Sequence, residues 1–272
     1  MTPPTGPELT STRSPRVKSA RQLAKRAFRQ RSRLFLAEGP QAAGEALAAA
    51  DVVTELFVTA PAQARYGELV EAAAGQGVHV QLVSGEIMTE LAQTVTPQGI
   101  LAVCRFVDVP LSQVTVAAPR LAVILGSVRD PGNAGTVLRT ADAAGAQGVI
   151  FSEASVDPYN SKCVRASAGS LFHLPVVVGA ALPAAVAALR EAGLRVLAAD
   201  GGARRTLDEL DGDGLLARPT AWLFGNEAWG MPGDVLALAD EAVAVPIYGR
   251  AESLNLAAAA AVCLYASARA QC

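Results

Sequence analysis

Short, continuous apolar runs alternate with stretches of helical period along most of this chain. In the first half the runs predict strands at Arg33–Glu38, Val52–Thr59, Val78–Val83 and Ile100–Val107. Between them the pattern predicts helices at Ser19–Gln30, Pro40–Ala50, Ala62–Ala74 and Glu86–Thr94. Residues 108–119 hold Pro110 and Pro119 and no clear period, which places a domain boundary there. The second half alternates again. Strands are predicted at Leu121–Leu125, Gly148–Phe151, Leu174–Val178, Arg195–Ala199, Ala221–Phe224 and Ala242–Val245. Helices are predicted at Ala134–Gly145, Asn160–Ser170, Leu182–Gly193, Pro232–Asp240 and Leu254–Ala268. Apolar runs without a polar face are what parallel strands covered on both sides look like. The fold class is therefore α/β, in two domains, and no internal repeat is visible.

Composition changes this picture little. With 272 residues, 51% of them hydrophobic, the chain can bury a substantial core. The expected organisation is a disordered basic arm over 1–17, a smaller α/β domain over 18–107, a linker over 108–118 and a larger α/β domain over 119–272. The arm is rich in Pro, Ser, Thr and Arg, with few large apolar residues to order it. No apolar run approaches the roughly 18 residues a membrane span needs. Leu256–Ala266 is alanine-rich, too short, and reads as part of a helix buried all round. No apolar segment of the signal-peptide kind follows the basic N-terminal residues. Cys104, Cys163, Cys263 and Cys272 lack close metal-ligand spacing. Reduced thiols, no metal and a cytoplasmic location are the expectations.

Charge matters more in its distribution than in its sum. The net charge is −2, yet residues 1–35 carry nine Lys/Arg against one acid, Glu8. Such asymmetry fits a basic arm that meets phosphate, and a solvated tail fits it equally. Arg29, Arg31 and Arg33 are the candidate nucleic-acid contacts in this segment.

Three loop segments combine glycine turns with amides. Asn133-Ala-Gly-Thr-Val-Leu-Arg139 follows the strand at Leu121–Leu125 and opens a helix. Its small residues let backbone N–H groups approach a ligand, and Arg139 can present a planar fork to phosphate. Gly225-Asn-Glu-Ala-Trp-Gly230 follows an apolar strand and forms a bent loop. Its Glu227 has no second acid beside it, so a general acid/base pair is not indicated. In Pro246–Asn255, Ser253 is a plausible N-cap, and Asn255 then falls inside the first turn of an apolar helix. A buried amide there needs a partner. Open α/β sheets place ligands at the ends of such strands. None of the segments is Gly-x-Gly-x-x-Gly or a P-loop, so a nicotinamide-dependent oxidoreductase rests only on generic βα alternation.

Together the three segments resemble the motifs of the SpoU (TrmH) family, the RNA ribose 2′-O-methyltransferases of the SPOUT superfamily. The resembling positions are Asn133, Gly135, Arg139, Thr140 and Ala141; then Gly225–Gly230, with Ala228 where the family has glycine; then Pro246, Gly249, Ser253, Leu254 and Asn255. Arg165-Ala-Ser-Ala-Gly169 resembles a further family segment, and Phe35-Leu-Ala-Glu-Gly39 resembles the family's L30e-like substrate-binding domain. The resemblance implies a C-terminal parallel-sheet domain with a deep trefoil knot of SPOUT type, beside a smaller N-terminal L30e-like domain. It also implies S-adenosylmethionine as methyl donor, RNA as substrate, and a homodimer formed through the C-terminal domain. Ribosomal RNA is favoured over transfer RNA. A non-catalytic RNA-binding protein on the same scaffold is the alternative. Carried over by position, the implied catalytic residues are Arg139, Asn133, Glu227, Ser253 and Asn255. The implied cofactor contacts are Leu223, Gly225, Asn226, Gly230, Ile247 and Leu254, and Arg165 is a candidate RNA contact.

Overall fold

The computed structural model describes residues 6–226 and 230–272. The chain divides into two compact units: the residues up to Val107 with Tyr159–Phe172, and Asp108–Pro158 with His173–Cys272.

The first unit opens with α1 (Pro15–Gln22) and α2 (Arg26–Ser32), followed by β1 (Leu34–Glu38) and α3 (Pro40–Ala48). Next come β2 (Val53–Val58), α4 (Ala60–Arg65), α5 (Gly67–Gly75), β3 (His79–Leu82), α6 (Gly85–Leu91) and β4 (Ile100–Arg105). The sheet order is β1-β4-β2-β3. The apolar β4 lies between β1 and β2, antiparallel to both, while β3 pairs parallel with β2. Val17, Leu36, Phe57, Ile87, Leu91 and Leu101 belong to one buried cluster of this unit.

Two expectations for this region are corrected. Residues 6–17 are not a disordered arm. Leu9 N–H donates to the Leu82 carbonyl, Ser84 N–H donates to the Leu9 carbonyl, and Val17 is fully buried. Two apolar side chains with a short bridge beside β3 are enough to order a segment that composition alone assigns to solvent. The helix expected over Ser19–Gln30 is broken at Leu23, which turns into the core.

Tyr159–Phe172 joins this unit through an aromatic cluster. The Phe106 and Tyr159 rings stack with centroids 3.7 Å apart, and Phe35 packs against Phe106, Tyr159 and Phe172. The Tyr159 hydroxyl accepts from Val107 N–H at 2.9 Å.

The second unit runs through α7 (Leu111–Val116), β5 (Leu121–Leu125), α8 (Pro131–Ala143) and β6 (Val149–Ser152). It resumes after α9 (Ser161–Ser167), which lies in the Tyr159–Phe172 segment, with β7 (Val176–Ala180), α10 (Leu182–Glu191) and β8 (Arg195–Ala199). Then follow β9 (Arg205–Thr206), α11 (Leu207–Gly212), β10 (Thr220–Phe224), α12 (Gly233–Leu236), β11 (Glu241–Ala244) and α13 (Leu256–Gln271). The sheet order is β7-β6-β5-β10-β8-β11-β9, and every pair is parallel. Ile124, Ile150, Val196 and Leu223 pack with α7 and α10 on one face. On the other face α13 packs against α8 and β10. There the buried Trp222 indole N–H donates to Ser267 Oγ at 2.9 Å. Because all seven strands run the same way, the loops after β5, β8, β10 and β11 emerge at one end of the sheet.

α13 is not buried all round. Ala257, Ala260, Cys263, Leu264 and Ser267 face inward, whereas Val262 and Tyr265 are 42% and 53% exposed. No helix among the described residues is long and apolar enough to cross a membrane.

Candidate active site

The loop after β5 begins the site. Gly126 N–H donates to the Phe224 carbonyl at 2.8 Å, which extends the β5–β10 pairing beyond the strands. Ser127 then takes a positive φ of 61° and turns the chain out of the sheet. Asp130 caps α8 by accepting from Asn133 N–H at 2.8 Å, and Pro131 occupies the first helical turn, where its missing N–H costs nothing. Asn133 is thus inside the first turn, and its side chain is released from capping.

The segment after β10 meets this loop. Asn226 Nδ2 donates to the Ser127 carbonyl at 3.2 Å, and Gly230 N–H donates to the Asn226 carbonyl at 3.1 Å. Gly230 has φ +65°, which a side-chain-bearing residue adopts only at a cost. Gly225 is required for a different reason. A Cβ there would fall on Met231 Cγ and lie 3.3 Å from the Gly230 carbonyl oxygen. Glu227 lies outside the described residues.

The segment before α13 completes the junction. Asn255, and not Ser253, is the N-cap: its Oδ1 accepts from Ala257 N–H at 2.9 Å. This corrects the expectation of an amide buried within the helix, since Asn255 is exposed. The need for partners is met by capping on one side. On the other, Asn255 Nδ2 donates to Asn133 Oδ1 at 3.1 Å. The first segment is therefore joined to the second at Ser127 and to the third at Asn133.

A cavity of about 380 Å3 opens at the C-terminal ends of β8, β10 and β11. Gly225, Asn226 and Gly230 line it from one loop; Ile247, Ser253, Leu254 and Asn255 line it from another. Phe224, Met231, Val243, Val245 and Leu256 add apolar wall. Asp200 and Gly201, which follow β8, and Glu252 also line it, and sequence reading missed all three. Asp200 and Glu252 are the charged side chains on the described wall. A largely apolar slot with two carboxylates, and no cation among the described lining residues, suits a nucleoside that bears positive charge.

Other expected residues fall elsewhere. The Leu223 side chain is fully buried in the core, close enough that a Cβ on Gly126 would lie 3.1 Å from it. The side chain supports the strand beneath the cavity, and the contact expected of Leu223 is through its backbone. Arg139 projects from α8 into solvent, and no described residue pairs with it. Arg29 is 4% exposed and donates to the Leu23 and Ala24 carbonyls, both at 2.9 Å. It satisfies the end of α1 and is removed from the RNA contacts. Arg31 and Arg33 stay exposed, each guanidinium lying over an aromatic ring 4.5 Å away, Phe28 and Phe106 respectively. Arg165 donates to Glu38 Oε2 at 3.2 Å. That carboxylate is 6% exposed and also accepts from Gln93 N–H and the Thr94 hydroxyl.

Comparison with known proteins agrees with this geometry. A sequence profile of the SpoU rRNA Methylase family matches residues 120–265, and one for an MRM3-like substrate binding domain matches residues 14–102. An uncharacterised tRNA/rRNA methyltransferase of Synechocystis is 36% identical, over 97% of this chain and 94% of its own. The 23S rRNA (guanosine(2553)-2′-O)-methyltransferase RlmP of Bacillus subtilis is 32% identical, over 95% of this chain and 98% of its own. The crystal structure of an AdoMet-bound rRNA methyltransferase from Sinorhizobium meliloti superposes with a TM-score of 0.84 at 31% identity, covering 97% of each chain.

Proposed function

The chain belongs to the SpoU rRNA methylase family, and we propose that it transfers a methyl group from S-adenosylmethionine to a ribose 2′-hydroxyl of ribosomal RNA. The observation that carries this reading is the junction of three separated segments around one cavity, through Asn226 to Ser127 and Asn255 to Asn133. The activity named for the Bacillus subtilis relative and the donor named for the Sinorhizobium meliloti structure support it.

S-adenosylmethionine, when bound, supplies a methyl group already activated on sulfonium. Gly225, Asn226, Gly230, Ile247 and Leu254 would enclose it, with the Leu223 side chain holding the floor from below. The protein's task is then the acceptor, because a ribose hydroxyl is a weak nucleophile at neutral pH. Fixing two reactants in line can contribute roughly 7–11 kcal/mol in favourable cases. In this reading the Asn133–Asn255 amide pair and Ser253 position the ribose. Arg139 takes the neighbouring phosphate, and the role proposed for Glu227 is to hold this arginine or the neighbouring loop. A guanidinium does not lose its proton in proteins, so Arg139 acts by charge and position and not as a base. Within the first unit, Arg165 keeps N–H donors beyond the one given to Glu38, and Arg165, Arg31 and Arg33 are its proposed RNA contacts.

The same reading includes a cytoplasmic homodimer. Val262 and Tyr265, exposed together on α13, suit a subunit contact. It also includes the deep trefoil knot in the second unit, and ribosomal over transfer RNA. The test is tritium transfer from labelled S-adenosylmethionine to total cellular RNA. Label in RNA with wild-type protein, lost in Arg139→Ala while titration calorimetry still reports donor binding, is the expected result. Donor-independent RNA binding without label would leave a binding protein on this scaffold.

A further inference from the structure

We infer that Asp200 receives the ribose hydroxyls of the bound methyl donor, an assignment that rests on the function proposed above. Asp200 follows β8 directly and lines the cavity, and β8 lies between β10 and β11 in the sheet. Its Oδ1 accepts from Gly202 N–H at 3.1 Å, which fixes the carboxylate plane. Its backbone is fixed as well: Asp200 N–H donates to the Val243 carbonyl at 3.0 Å, and its own carbonyl accepts from Ala203 N–H at 3.1 Å. The second carboxylate oxygen, Oδ2, has no hydrogen-bond partner among the described residues. An ionised carboxylate only accepts, so its ligand must offer O–H or N–H donors.

The donor molecule carries two such groups away from its base: the 2′,3′-diol and the α-ammonium. Position in the cavity separates them. The amino-acid tail is the more strongly hydrated end and belongs at the open lip, where Glu252 and Ser253 are exposed. The nucleoside belongs against Phe224, Met231 and Val243, on the half-buried side where Asp200 stands. A carboxylate beyond a parallel strand is also a general solution for a nucleoside diol.

The experiment is a ligand and protein cycle by titration calorimetry. Asp200→Asn keeps the Oδ1 acceptor for Gly202, so thermal unfolding is expected to be unchanged. Wild type and variant are each titrated with S-adenosylmethionine, with 5′-methylthioadenosine, which lacks the amino-acid tail, and with 2′,3′-dideoxy-5′-methylthioadenosine. The variant is expected to bind the first two about ten- to a hundredfold more weakly than wild type, the range for hydrogen bonds to a charged group. The dideoxy compound is expected to bind wild type and variant alike. A variant that loses S-adenosylmethionine but not 5′-methylthioadenosine would move Asp200 to the ammonium and overturn the assignment. Equal affinity of both proteins for all three ligands would overturn it too. A wild type that binds none of them would remove the proposed function itself, and this assignment with it.

Discussion

Gly225→Ala is the substitution for which the structure sets the clearest expectation. Gly225 does not have a positive φ, so alanine is allowed by the backbone and the effect is steric. The new methyl group would fall on Met231 Cγ, with Met231 Sδ and the Gly230 carbonyl oxygen both at 3.3 Å. Met231 is 9% exposed and belongs to the core cluster beneath α10 and α12, so its near end has little room to yield. Overfilling a packed site costs about 1–3 kcal/mol. Met231 also lines the cavity, so its displacement reduces space for the donor. If that strain fell entirely on binding, affinity for S-adenosylmethionine would drop about five- to 150-fold. Calorimetry and thermal unfolding measure the two shares. The decisive arm is Met231→Ala, which empties the contested space. In that background Gly225→Ala is expected to have almost no further effect, a coupling of about 1–3 kcal/mol. Normal affinity and normal unfolding in Gly225→Ala alone, or full additivity with Met231→Ala, would refute the packing argument.

Three further outcomes are expected. Ser267→Ala leaves the buried Trp222 indole N–H without its acceptor and is expected to lower stability by about 1–3 kcal/mol in denaturant unfolding, while Ser267→Thr keeps a hydroxyl there. Arg165→Ala strips one donor from the nearly buried Glu38; because Arg165 is itself 29% exposed, the loss is expected to be only about 1 kcal/mol, and Glu38→Gln with Arg165→Ala should recover part of it. In native protein a maleimide is expected to label Cys272, which is exposed, and to spare Cys104, Cys163 and Cys263, with mass spectrometry of the peptides as readout. Burial pushes the Cys263 thiol up to about 12 and raises Cys104 further, so neither offers thiolate at neutral pH.

The second unit was largely legible because its strands are continuous apolar runs. Leu121–Leu125 and Arg195–Ala199 have the boundaries their composition predicts. Its polar margin was not. β9 has only two residues, and α11 is held by a capping box between Thr206 and Glu209 in a stretch too charged to show a helical stripe. The three motif segments were legible, but the contacts that join them were not. No periodicity tells that Asn226 reaches Ser127 or that Asn255 reaches Asn133 across 122 positions. Asp200 stayed hidden for the same reason: a single acid after a strand reads as a turn until the sheet order places it beside β10 and β11. Arg29 misled in the opposite sense. Within a basic run it looked like a phosphate contact, but a bend in the chain at Leu23 left carbonyls that its guanidinium satisfies.

The most direct test of the central claim is the chemical identity of the product. RNA labelled by the wild-type protein would be digested to nucleosides and resolved by mass spectrometry. The expected product is a fragment in which the added methyl stays with the ribose when the glycosidic bond breaks. A methyl that leaves with the base, or no methylated nucleoside above the Arg139→Ala control, would contradict it.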